Sequence, residues 1–313
     1  MSQKIEKKKH RESISTGNYI FNRPLEPLIY LIPFMIGLLI FTIYPIINVV
    51  IMSFKEGYRL SGAYNGLGLA NYQTVIGNKY FQSAIKNTFI YVFSVVPIAT
   101  ILSVLIANLL NQKIKGISIF HTVYFLPMVT SAIAVGISWR FMFNKRTGII
   151  NWLLGLIGIQ PLDWLGAIAG QAPYNMLTVI IFGIWNMMPF TIILLLSGLQ
   201  NIDPMYYTAA KVDGANSNQI FRRITVPLLA PTIFLTLIVN MISAFKVYND
   251  VIPFWGGKAG ALGTNLYTIV YWIKETFYSK LRLGQAAAAS IVLFLIILVF
   301  TMIQRFIQSK FDY

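Results

Sequence analysis

The chain has 313 residues, of which 56% are apolar and only 11% charged, with a mean hydropathy of +0.65. Soluble domains carry about 25% charge, so this chain lacks the polar surface to cover a water-soluble globule and takes the bilayer as its solvent. No cysteine is present, which excludes disulfides, thiolate metal sites and cysteine nucleophiles, and two histidines are too few for a histidine-rich metal centre. The net charge of +15 then reads as basic loops against anionic lipid rather than as a nucleic-acid surface.

A charge at mid-bilayer costs about 2.5–3.5 kcal/mol on insertion scales, so stretches free of Asp, Glu, Lys and Arg mark the candidate spans. Six qualify: Leu28–Phe54, Asn87–Gln112, Gly116–Trp139, Trp164–Ile202, Ile224–Phe245 and Leu283–Gln304. Each exceeds the roughly 20 residues needed to cross the hydrocarbon. The fourth is too long for one helix, and Gly166, Gly170 and Pro173 place its span near Tyr174–Gln200. The expected architecture is all-α: a basic tail over 1–27, then a membrane domain over 28–313 with spans near 28–54, 87–112, 116–139, 174–200, 226–245 and 284–304. The first run is too long for a cleavable signal peptide and no small-residue cleavage site follows it. Prolines inside the spans (Pro33, Pro45, Pro97, Pro127, Pro189, Pro231) predict kinks.

Basic residues favour an N-in, C-in orientation, carried mainly by the tail and by the Lys113–Lys115 turn. The outer segments are then Lys55–Lys86, rich in glycine, Arg140–Pro173, and Lys246–Arg282. The run from Asn151 to Trp164 is expected to lie at the interface on tryptophan anchors. Lys246 and Asp250, four apart beyond the fifth span, either pair on one helix face or offer a cation to an acidic cargo. His121 is expected to hydrogen-bond within the bundle.

The inner loop 203–225 carries the most specific pattern. Asp203-Pro204 is an N-cap acid followed by proline at the first helical position. A two-turn helix with Ile202, Met205, Ala209 and Val212 on one face should follow and stop at Gly214, after which Ser217 is placed to cap a second helix running over Asn218–Leu229. Ala209, Ala210, Gly214 and Ala215 leave a shallow surface, suited either to another protein or to a plain helical hairpin.

Thr208-Ala-Ala-Lys-Val-Asp-Gly-Ala and Phe221-Arg-Arg-Ile-Thr-Val-Pro-Leu-Leu-Ala-Pro resemble the "EAA" loop of the permeases of ABC importers. The glutamate that opens that pattern is replaced by Thr208. Leu31-Ile-Pro-Phe, Tyr44-Pro and Ser53-Phe, Tyr124-Phe-Leu-Pro, and Gly284-Gln-Ala-Ala-Ala-Ala-Ser-Ile-Val-Leu-Phe extend the likeness to the carbohydrate-importing members, although Gly256-Gly257-Lys258 departs from their usual Gly-Gly-Pro.

The resemblance implies a type I importer permease in a bacterial cell membrane, paired with a second homologous permease. It also implies two ATPase subunits, which hold the ATP and Mg, and an external solute-binding protein. This chain would bind no cofactor and no metal and would catalyse no reaction. It would couple to the ATPase through Thr208, Ala209, Ala210, Asp213, Gly214, Ala215 and Phe221, and would work by alternating access. The chain contains no G-x-x-x-x-G-K-[ST] sequence, so an ATP-driven cycle needs another chain.

For the substrate path, aromatic faces stack on sugar rings and amides bond hydroxyls. Asn186, Phe190, Asn240, Ser243, Phe245, Tyr248 and Asn249 meet that description, and equally suit helix–helix packing. A neutral mono- or oligosaccharide is the expected cargo, with glycerol phosphate or an acidic sugar as the alternative. An ion-coupled secondary transporter is the remoter reading, since all ten acids lie outside the six windows.

Overall fold

The computed structural model describes residues 26–112, 116–166, 174–255 and 266–310. The basic tail up to residue 25, the Lys113–Lys115 turn, the Gly170–Pro173 stretch and the Gly256–Lys258 motif fall outside the described residues, as does the side chain of His121.

The chain forms two compact units, the first ending at Met52 and the second running from Ser53. The described part of the first is helical from α1 (Glu26–Leu38) through a π-helical turn at Leu39–Ile43 into α2 (Tyr44–Phe54). Pro45 explains that turn. Proline lacks an N–H and its ring crowds the carbonyl four residues earlier, here Phe41, and widening the helix at this point relieves the clash. The same device recurs at Pro227, preceded by a π-helical turn at Phe221–Thr225.

In the second unit a short hairpin follows α2, joined by the Lys55–Leu67 bridge. It delivers the chain to α3 (Ala70–Gly77) and the long α4 (Lys79–Leu110). Asn78 caps α4, its side chain accepting from the amides of Tyr80 and Phe81 at 3.0 and 3.1 Å. Helix α4 starts eight residues before the charge-free window because Lys79 and Lys86 are carried in its first turns.

The third window is not one straight helix. α5 (Ile117–Val129) and α6 (Ala132–Met142) meet at a 113° bend. Pro127 ends the first helix, and Thr130 and Ser131 are extended. Beyond the short α7 (Ile149–Leu156) come α8 (Asn175–Gln200), α9 (Pro204–Val212), α10 (Ser217–Ile220) and α11 (Val226–Phe245). α12 (Ile252–Trp255), α13 (Ile269–Lys274) and α14 (Leu283–Gln308) complete the described chain. Among the described residues, five helical stretches are long and apolar enough to cross a membrane: Tyr30–Phe54, Lys79–Leu110, Asn175–Gln200, Ser217–Phe245 and Leu283–Gln308. The bent α5–α6 pair makes a sixth if counted as one span.

α4 packs most extensively on α8, and α11 lies against both. Small residues set these approaches. A methyl group at Gly198 of α8 would meet Thr232 Oγ1 of α11 at 2.6 Å, and one at Gly136 of α6 would meet Pro253 at 2.4 Å. The Ala286–Ala289 run of α14 is buried, and Gly284 at its start is packed so closely that a methyl group there would sit 2.7 Å from Asn71 Nδ2. That amide donates to the carbonyls of Ser53 and Lys55 at 3.0 and 2.8 Å. Without a hydrophobic force between helices in lipid, such close approaches and polar ties hold a bundle.

The loop after α6 corrects an expectation. Trp164 is no interfacial anchor: it is 7% exposed and packs on Phe143, its ring nitrogen donating to Asn151 Oδ1 at 2.8 Å. Asn151 is the hub of that loop. It also accepts from the Leu162 amide and donates to the carbonyls of Lys145 and Leu162. Trp152 stays 62% exposed.

Candidate functional site: a polar cavity and a capped knuckle

Helices α4, α8 and α11, with the residues following α11, border a half-open cavity of about 350 Å³. Its wall is built from residues at helical spacing. Asn186 and Phe190 lie four apart on α8, and Asn240 and Ser243 three apart on α11, so each pair shares a face. Lys246, Tyr248, Asn249 and Asp250 complete the wall where α11 ends at Phe245. Six of the seven residues proposed from sequence for the substrate path therefore line one cavity. The seventh does not: Phe245 is fully buried and packs edge-on to Phe89 and against Phe300. Five residues beyond Asn240, it points about 140° away around the helix.

Tyr91 escaped the sequence reading of this polar wall, and Asp250 entered it only beside Lys246. Tyr91 of α4 donates its hydroxyl proton to Asp250 Oδ2 at 2.6 Å, and Asn186 Nδ2 donates to Asp250 Oδ1 at 3.0 Å. Lys246 and Asp250 form no ion pair among the described residues. The helix ends before Lys246, so the four-residue spacing does not bring them onto one face. Burial raises the carboxyl of Asp250 above its ordinary range, and the two hydrogen bonds only partly offset this. Tyr248 accepts a hydrogen bond from Lys274 Nζ. Asn240 donates to Thr191 Oγ1 at 2.9 Å. The site holds one carboxylate, one lysine, three amides and three hydroxyls beside the partly exposed ring of Phe190, donors and acceptors of the kind that pair with a polyhydroxylated molecule.

At the far end of α8 lies the knuckle. Asp203 caps α9, accepting from the Met205 amide at 2.8 Å, with Pro204 at the first position. Gly214 ends the helix at φ +75°. There the Ala215 amide donates to the Ala210 carbonyl at 2.9 Å and the Gly214 amide to that of Lys211 at 3.1 Å, the paired bonds of a glycine helix stop. The following helix is capped by Asn216, in a reciprocal box with Gln219, rather than by Ser217. Met205, Tyr206 and Val212 are 73, 56 and 83% exposed. Thr208, Ala209, Asp213 and Gly214 are exposed too, and Ala215 partly so. Ala210 is buried and Phe221 packs against the core of α4, α8 and α11, so neither belongs to the open face of this knuckle.

Among the described residues the chain is an all-helical bundle with five to six candidate spans and a polar cavity, the architecture of a polytopic membrane protein. Residues 78–313 match the family described as binding-protein-dependent transport system inner membrane component. The arabinooligosaccharides transport system permease protein AraP of Bacillus subtilis (strain 168) is 31% identical over 93% of this chain and 91% of its own length. The trehalose/maltose transport system permease protein MalF of Thermococcus litoralis is 29% identical over 87% and 90%, and the probable ABC transporter permease protein YesP of Bacillus subtilis 35% over 88% and 87%. Among solved structures, a bacterial ABC transporter involved in the import of the acidic polysaccharide alginate aligns with a TM-score of 0.79 at 23% identity, covering 96% of this chain and all of that one; it shows the shared fold. The chain belongs to the binding-protein-dependent ABC transporter permeases. It is a multi-pass, non-enzymatic subunit of the bacterial cell membrane.

Proposed function

We propose that this permease forms half of the translocation pathway of an ATP-driven importer of neutral mono- or oligosaccharides. The observation that carries the reading is the cavity. Asn186, Phe190, Asn240, Ser243, Tyr248 and Asn249 surround a space within the usual range for small-molecule sites, about 300–1,000 Å³. Phe190, 40% exposed, offers a stacking face, and the amides and hydroxyls satisfy a sugar's hydroxyls. The names of the arabinooligosaccharide, trehalose/maltose and lactose permeases among the relatives support this cargo.

The wider assembly in this reading is a second homologous permease, two ATPase subunits and an external solute-binding protein, with the termini on the cytoplasmic side. The family's dependence on a binding protein supports the last partner. The knuckle 203–225 seats in the ATPase, where the exposed Met205, Tyr206 and Val212 meet its apolar surface. ATP-driven closure of the ATPase pair moves the two knuckles and rocks the spans around the cavity, alternating its access.

Uptake of labelled maltose, lactose, arabino-oligosaccharides, glycerol 3-phosphate and a galacturonate oligomer, in a deletion strain and its complement, tests the cargo. Deletion should abolish uptake of at least one neutral sugar. Loss confined to the phosphate or the uronate would instead favour the anionic cargo for which Lys246 at the cavity speaks.

A further inference from the structure

Asp250 occupies an unusual position. It follows the end of α11, yet its carboxylate is tied to two other helices, to α4 through Tyr91 and to α8 through Asn186, and part of its surface stays open to the cavity. A carboxylate offers about four lone-pair sites, and these two bonds occupy one on each oxygen. The remaining acceptor capacity has no protein donor among the described contacts of Asp250.

We propose that Asp250 is a specificity-determining residue that reads sugar hydroxyls, its two oxygens accepting hydrogen bonds from a neighbouring pair of hydroxyls on the cargo. The inference rests on the carbohydrate reading of the same cavity and names the group in it that discriminates. Three features support it. A charged acceptor makes shorter and stronger hydrogen bonds than an amide carbonyl. Its orientation is fixed before any ligand arrives: Tyr91 is 1% exposed and wedged against Gly183, so the carboxylate does not have to be ordered on binding. The other polar groups are already committed elsewhere in part, Tyr248 to Lys274 and Asn240 to Thr191. A site built to bond a hydroxyl rejects an analogue lacking it, because its own buried polar group is then left unpaired.

The experiment compares uptake by the complete transporter, with its binding protein, of the neutral disaccharide it carries best and of the singly deoxygenated versions of that sugar, for wild type and Asp250→Asn. The binding protein is common to both, so its own preference cancels in the ratio of ratios. With wild type, the maximal rate for at least one deoxy sugar should fall about tenfold below the parent, and with Asp250→Asn that gap should shrink to about twofold. Tyr91→Phe, which frees the carboxylate without removing it, should give an intermediate ratio. Uniform slowing of the parent and every deoxy sugar by Asp250→Asn would overturn the assignment and leave a structural tie only. Failure of wild type to carry any neutral sugar would overturn the carbohydrate reading itself, and with it this inference.

Discussion

Gly183 of α8 makes room for the hydroxyl of Tyr91 on α4: a methyl group at Gly183 would sit 2.4 Å from Tyr91 Oη and 2.9 Å from its ring carbons. The absent side chain of one helix thus lets the tyrosine of its neighbour reach Asp250 beyond the end of a third.

Gly183→Ala should therefore damage the cavity through Tyr91. The ring is buried and cannot swing away, so the substitution overpacks the α4–α8 interface at a cost of about 1–3 kcal/mol. Tyr91→Phe in the same chain removes the atom in closest conflict. Thermal unfolding of the two single variants and the double variant in detergent should show the double less destabilised than the sum of the singles.

Asp250 makes stability depend on pH in a definite direction. Its carboxyl is raised above the ordinary range by burial, so between the unfolded value and the raised folded one the native state keeps a proton that the unfolded chain has lost. Stability then falls as pH rises through that window. The Tyr91 hydroxyl and the Asn186 amide bond it, and Lys246 lines the same cavity without pairing with it among the described residues. Asp250→Asn, which stays neutral, should flatten this slope and melt no lower than wild type at neutral pH. Melting curves from pH 4 to pH 8 would read the difference, and an unchanged slope would refute the assignment.

Counting charge-free windows picks out long apolar helices, and the windows near 174–200, 226–245 and 284–304 coincide closely with α8, α11 and α14. It understates α4, because Lys79 and Lys86 lie in its first turns. Composition alone does not reveal the α5–α6 bend, which depends on Thr130 and Ser131 turning extended after Pro127. The knuckle was legible because its signals are local: an acid before a proline starts the helix, and a glycine ends it. The cavity was half legible. Polar residues at helical spacing marked Asn186, Asn240 and Ser243, but the Tyr91–Asp250 bond joins residues 159 apart in sequence, and nothing local announces it. Lys246 and Asp250 looked like partners only on the assumption that α11 continued past Phe245.

Asn151 should prove the single most sensitive residue of the loop after α6. It bonds the Lys145 and Leu162 carbonyls, the Leu162 amide and the Trp164 ring nitrogen, and it is 5% exposed. Asn151→Leu leaves those groups without their partner, and each buried orphan costs about 1–3 kcal/mol. Hydrogen exchange should show loss of protection at Leu162 and its neighbours, with the α4–α8 core unaffected, and Trp164 fluorescence should shift to longer wavelength. An unchanged exchange pattern would mean the loop is held by the packing of Trp164 on Phe143 alone.

The helix stop at Gly214 separates shape from chemistry in the knuckle. Its φ of +75° is open to glycine, tolerable for asparagine and forbidden to proline, whose ring fixes φ near −65°. Proline also deletes the amide that donates to the Lys211 carbonyl. Gly214→Asn should keep the stop and most of the transport, while Gly214→Pro unravels the last turn of α9 and displaces Val212 and Asp213. If the knuckle transmits motion between the ATPase and the spans, Gly214→Pro will leave the assembled complex hydrolysing ATP at a rate no longer stimulated by the loaded binding protein, with uptake lost. Asp203→Ala, which removes the cap at the other end at a cost of about 1 kcal/mol, should weaken the same coupling only partly. Full transport in Gly214→Pro would show that the precise end of this helix does not matter to the cycle.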